Sequence, residues 1–245
     1  MLYSQLVSMA SIHVTCIVDF MCPWSFIGLR SLALALTDNN TMQQKKDGIN
    51  IQLLPFEFDQ PGTYPPDGID WTDYCTSFGS PKAEYLLGEK LPRAFSIGER
   101  IGIHFDIRRR IVHTETVNAA LMLVQEQGGD GMDFALKMLH YHFEALQDPN
   151  NKRLLTQVLT EDMKLDKSVL EDFWMDSEKA SRNAEWTRRG RMMGAPPVPK
   201  FIITCGTSNE NLCDRIPHDG PTNPSYFLKL FEMCQSDVKS QKEEL

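Results

Sequence analysis

The sequence predicts an α/β domain interrupted by an all-helical block. Three observations carry this: two short strand-like segments flank one helix near the start, strand character returns only near residue 200, and helical periodicity fills most of what lies between.

Ile12 to Asp19 is the first strand, dense in β-branched residues. It runs straight into Cys22-Pro23-Trp24-Ser25. Pro23 suits the first turn of a helix, where its missing N–H would be unpaired anyway, and the helix continues from Phe26 to Leu36. After Asp47-Gly48, Ile49, Ile51 and Leu53 alternate with Asn50 and Gln52, so Ile49 to Phe56 is a second strand. Residues 57–79 form a Pro/Gly-rich loop holding Tyr64, Trp71 and Tyr74, long enough to shape a site.

Ser80-Pro81 opens the helical block. Its first stretch runs to about Arg100. Val117, Ala120, Leu121 and Val124 make the next helical stripe, stopped by Gly128-Gly129. Further stripes carry Ala135, Met138, Leu139, His142 and Leu146, then Leu154, Leu155, Val158 and Leu159. Asp166 or Ser168 caps another helix with Val169, Leu170, Phe173 and Trp174, and one more spans about Asp176 to Met192. Val198 to Thr204 is a strand, Leu212 to Ile216 a short one, and Asn223-Pro224 starts a last helix with Phe227, Leu230, Phe231 and Cys234 on one face. The polar end from Ser236 is expected to be a frayed tail.

Composition narrows the function. The chain has 245 residues, 42% hydrophobic and 24% charged, as soluble globular domains do. Lys and Arg number 25 against 33 Asp and Glu, a net charge of −8 that argues against sequence-independent nucleic-acid binding. Six cysteines are too few for a disulfide-stapled scaffold. There is no apolar run of about 18 residues, so no membrane span is expected. Met1 to Ala10 lacks a basic start and is read as a short lead-in, with Met9 an alternative start, not as a signal peptide. The expected compartment is cytoplasmic, where cysteines stay reduced and serve packing or chemistry.

Cys22 is the cysteine whose setting points to chemistry. A thiol at the first turn of a helix faces unpaired backbone N–H groups that favour the thiolate, which predicts a lowered pKa. Pro23 and Trp24 hold the turn and cover one side. Val198-Pro199, entering a strand, could dock a substrate backbone if its peptide bond is cis.

The run Asp19-Phe20-Met21-Cys22-Pro23-Trp24-Ser25-Phe26-Ile27-Gly28 resembles the active-site opening of the DsbA-like thioredoxin-fold family, in its FrnE-like branch. Pro55-Phe56, Gly102-Ile103-His104-Phe105, the Gly194 to Ile203 segment and Tyr226 to Phe231 are similar to later elements of that family. The resemblance covers about residues 12–234. It implies a thioredoxin fold with a large all-helical insertion: a discontinuous thioredoxin-like domain over 11–60 and 195–235, and an inserted helical subdomain over 80–194. It also implies thiol chemistry at Cys22, with substrate bound by Pro23, Trp24, Val198 and Pro199.

One departure bears on the chemistry. The family's second redox cysteine is Ser25 here. A serine hydroxyl cannot close a disulfide, so a mixed disulfide at Cys22 needs an external thiol, with glutathione as the expected cosubstrate, or a distant cysteine. No tightly bound cofactor and no metal is expected. The partner is a protein or small-molecule disulfide or thiol, and a homodimer is compatible with the sequence. Alternatives are a glutathione-dependent transferase or isomerase, of the kappa-type and hydroxychromene-carboxylate kinds, and a redox-inactive binding or chaperone module.

The remaining candidates have plainer readings. Cys16 and Cys234 are expected to pack in the core. Cys205 is expected at core or edge, and Cys75 and Cys213 lie in loop-like contexts. His142 and His104 are read as packed histidines and His218 as a turn residue. Arg108-Arg109-Arg110 is read as a solvated face, with an anion contact as the minority reading. Asp19 serves equally well as proton acceptor for Cys22 or as cap of the turn. Ser25 is either a hydrogen-bond donor to the thiolate or a neutral relic.

Overall fold

The computed structural model describes residues 12–37, 48–58, 63, 65–205 and 223–243. β1 (Ile12–Val18) lies at the centre of a three-stranded sheet, between β2 (Ile49–Pro55) and β5 (Lys200–Cys205). It runs parallel to β2, with Ile12 beside Ile49 and Val18 beside Pro55. It runs antiparallel to β5, with Cys16 beside Phe201. The strand expected at Leu212 to Ile216 lies outside the described residues.

A parallel pair needs a crossover, and α1 (Pro23–Thr37) provides it. α1 packs against α10 (Pro224–Glu243), which runs on through the residues expected as a frayed tail. Gly28 lets α1 approach the third strand closely. A Cβ there would stand 2.9 Å from Pro199 Cγ and 3.0 Å from Phe201.

Between β2 and β5 the chain is helical, with one exception. β3 (Ile69–Asp70) pairs with β4 (Arg110–Ile111) in a two-residue ladder. Around it lie α2 (Trp71–Thr76), α3 (Ser80–Tyr85) and α4 (Leu91–Arg100), the last two joined by a π-helical turn over Leu86–Lys90. α5 (Glu115–Glu126), α6 (Gly131–Phe143), α7 (Lys152–Gln157), α8 (Lys167–Met175) and α9 (Lys179–Met192) follow. This is a thioredoxin fold carrying a large helical insertion, which the β3–β4 ladder keeps from being all-helical as expected.

The insertion shares one core with the sheet rather than standing apart. Val14, Ile17 and Leu53 belong to the same buried cluster as Leu121, Phe134 and Trp186. Two polar devices join them. Gln125 of α5 accepts from Leu53 N–H at 2.8 Å and donates to Leu53 C=O at 2.9 Å, so a helix side chain satisfies both backbone groups on an outer strand. Glu57, buried just beyond β2, accepts from Thr114 N–H at 3.1 Å and from Asn183, and lies 2.9 Å from His113 Nδ1. Its own N–H donates to Thr187 of α9.

Cys234 is buried as expected, but its sulfur is disulfide-bonded rather than free. Among the described residues the free cysteines are Cys16, Cys22 and Cys75. No helix among them is long and apolar enough to cross a membrane.

Candidate active site

The turn from β1 into α1 builds the site. Asp19 is buried and organises this turn. Its Oδ1 accepts from Met21 N–H at 2.7 Å, its Oδ2 accepts from Phe58 N–H at 3.1 Å, and its carbonyl accepts from Cys22 N–H at 3.1 Å. Pro23 then opens the helix, so Cys22 stands at its N-terminal end, its carbonyl accepting from Ser25 N–H at 3.0 Å.

The N–H groups of Trp24 and Ser25 and the Ser25 hydroxyl favour the thiolate of Cys22. Ser25 is fully buried, and its Oγ also accepts from Asp19 N–H at 3.1 Å. On the other side, the Cys22 thiol donates to Val198 C=O at 3.5 Å, across 176 positions of sequence. The Val198–Pro199 bond is cis, as are Ala195–Pro196 and Pro196–Pro197.

The thiol pKa departs from the lowered value expected. Burial of the sulfur pushes it up, the Asp19 carboxylate pushes it further, and the donors from Trp24 and Ser25 pull back without prevailing. The resting state is a protonated thiol, consistent with the bond it donates to Val198.

Cys22 opens onto a cavity of about 470 Å³. Pro23, Trp24 and Val198 line it beside the thiol, and Pro196 and Pro197 continue the wall. Trp71, Tyr74 and Phe78, from the segment leading into the insertion, also line it, with Lys82 and Lys90 of the insertion. Trp71 and Tyr74 lie 5.6 Å apart with their rings tilted by 34°, and Phe78 meets Tyr74 edge-on at 4.9 Å. Pro199 sits behind this wall, against Gly28 and Phe201. The expected loop is thus partly structured, and α2 places its aromatics over the thiol. Tyr64 lies outside the described residues.

Other candidates fall away from the chemistry or take new roles. Cys16 is fully buried in β1, and burial pushes its thiol well above the usual range. Cys75, expected in a loop, is buried in α2. His142 is buried as expected, whereas His104 is exposed and pairs with Glu99 at 3.2 Å. His218, Cys213 and the side chain of Cys205 lie outside the described residues. No cluster of three His, Cys, Asp or Glu suited to a metal occurs among the described residues.

The arginine run does not form a single solvated face. Arg108 and Arg110 face solvent and pair with Asp106 and Asp70, but Arg109 between them is buried. Its guanidinium lies 4.0 Å from the Trp71 ring and 4.4 Å from the Phe143 ring. The alternation of an extended segment, with Arg109 and Ile111 inward and Arg110 outward, was the available signal for it.

A thioredoxin fold with a thiol at the first helical turn, facing a cis-proline loop, defines the class as thiol-oxidoreductase-like. The DSBA-like thioredoxin domain matches residues 13–214, and the chain belongs to that family. No curated protein matches the sequence significantly. Among solved structures, it is similar to a probable DsbA oxidoreductase from Streptomyces coelicolor, with TM-score 0.68, 18% identity, and 92% of this chain and 90% of that one covered. It is also similar to a 2-hydroxychromene-2-carboxylate isomerase, with TM-score 0.58, 12% identity and coverage of 93% and 98%. A third is the cytosolic disulfide reductase DsbM from Pseudomonas aeruginosa, at 0.56, 14%, and 95% and 100%. DsbM is also solved with GSH. At these identities the likeness is one of fold.

Proposed function

We propose that the chain is a single-cysteine thiol–disulfide oxidoreductase of the DsbA-like class that uses glutathione as cosubstrate. The observation that carries this is the placement of the Cys22 sulfur at the N-terminal end of α1 beside Val198 C=O, with serine where a dithiol enzyme needs its second sulfur.

In this reading a substrate disulfide enters beside Val198 and displaces the thiol's bond to that carbonyl. Cys22 loses its proton to solvent and attacks one sulfur. A Cys22–substrate disulfide forms, and the other sulfur departs as thiolate and takes up a proton. The N–H groups of Trp24 and Ser25 and the Ser25 hydroxyl hold the charge before the bond forms. Ser25 cannot complete the exchange. A glutathione thiolate attacks the substrate sulfur instead and releases Cys22. The cytosol supplies the reduced glutathione this requires, and the DsbM structure with GSH supports the fit of that tripeptide to the fold.

The aromatic lining of the cavity favours a second reading, a glutathione-assisted isomerase or transferase acting on a small apolar electrophile. Incubation with oxidised glutathione, followed by peptide mapping, tests the thiol reading. Cys22 should carry one glutathionyl unit, about 305 Da, and Cys22→Ser should carry none. A folded protein with no adduct at Cys22 would contradict it.

A further inference from the structure

We propose that Arg109, brought in by the helical insertion, is the counter-charge of the Cys22 thiolate and a positioning residue for its chemistry. The inference rests on the thiol reading above. A guanidinium is seldom fully buried unless an anion answers it. Arg109 is 2% exposed and forms no salt bridge with any described carboxylate. Its Nη2 is buried with no hydrogen-bond partner, whereas Nη1 reaches Met21 C=O, the residue before Cys22, at 3.5 Å. Trp71 from α2 and Phe143 from α6 both lie close to the guanidinium and hold it at the Cys22 turn.

The groups acting on this cation are few. Burial pushes it down to about 9, and the acidic groups that pull it back when ionised are Cys22 first, then Cys75, Asp19 and Tyr74. His142 of α6 is held neutral, pushed down to about 3 by burial and by Arg109 itself, so it adds no competing cation. Asp19 is fixed by Met21 and Phe58 N–H groups and opposes ionisation of Cys22. Cys75 is the rival thiol, and the two can be told apart by mapping. A buried positive charge stabilises a nearby thiolate strongly because little solvent screens it. The same charge makes Cys22 a better leaving group when glutathione resolves the mixed disulfide.

The test is the pH dependence of iodoacetamide alkylation, resolved by peptide mapping at Cys22 and Cys75, in wild type, Arg109→Met and Arg109→Lys. Arg109→Met should raise the Cys22 midpoint by at least one pH unit, about a tenfold loss of rate at pH 7. Arg109→Lys should recover most of that loss, which a packing role would not produce. An unchanged Cys22 midpoint in folded Arg109→Met, or a shift at Cys75 alone, would overturn the proposal. If Arg109→Met fails to fold, the guanidinium ¹⁵N resonance of Arg109 decides in unaltered backbone. It should titrate with the Cys22 midpoint in wild type and lose that step in Cys22→Ser; the same titration in both proteins would overturn the proposal. Failure of Cys22 to exchange with disulfides at all would instead remove the thiol reading beneath it.

Discussion

Ser25 does at Cys22 what a second cysteine would do only in part. Its hydroxyl favours the thiolate and accepts from Asp19 N–H, but it offers no sulfur to resolve a mixed disulfide. Positions 22 and 25 are neighbours on the first helical turn, within the span a disulfide bridges. Ser25→Cys should therefore close a disulfide between Cys22 and the introduced thiol in oxidised glutathione and retain no stable adduct, which intact mass measures as a loss of about 2 Da. The tetrad was legible because its four residues are contiguous. The sign of the Cys22 shift was not, since it depends on how deeply the sulfur is covered and on a carboxylate held across a turn. Arg109 was hidden for a related reason: three consecutive arginines look solvated until the backbone alternates them.

At the scale of elements, the contact between α1 and the cis-proline loop sets the distance from Cys22 to Val198. Gly28 is what permits it, because Pro199 and Phe201 fill the space a methyl group would need. Gly28→Ala should destabilise the fold by about 1–3 kcal/mol through overpacking. It should also slow disulfide exchange at Cys22, measured by denaturant unfolding and alkylation rate together; no effect on either would contradict this account of the contact. β1, β2, α1 and the long helices were legible from their periodicities. α2 was not: it has six residues inside a Pro/Gly-rich stretch, and is stabilised by aromatic packing of Trp71 and Tyr74 rather than by local pattern. β3 and β4 are two residues each, too short for any alternation to declare them. The π-helical turns at Leu86–Lys90 and Val158–Asp162 break stretches that look like single helices in sequence.

Across the whole molecule, the insertion is part of the site rather than an appendage to it. It supplies the buried cation, the segment leading into it supplies the aromatic lining, and Gln125 and Glu57 tie it to β2. The order strand, helix, strand, helical block, strand could be read from the sequence, but the shared core could not, because it depends on which helix faces meet the sheet. His142 shows the consequence for stability. Burial and Arg109 push it down to about 3, against an ordinary 6.5. Below pH 6.5 the unfolded chain takes up a proton that the folded one refuses, so this contribution is complete above pH 6.5 and lost as pH falls toward 3. The loss is on the order of 4 kcal/mol. Denaturant unfolding from about pH 7 to about pH 4 should show a steeper fall for wild type than for His142→Gln, by nearly one proton; parallel curves would contradict the assignment.

The central claim is that one cysteine, resolved from outside, carries the chemistry. The most direct measurement is steady-state reduction of a small aromatic disulfide, with glutathione present or absent, by wild type and Cys22→Ser. Turnover should need glutathione and vanish in Cys22→Ser, while Cys75→Ser retains it. Turnover that survives in Cys22→Ser, or proceeds in wild type without an external thiol, would contradict the claim.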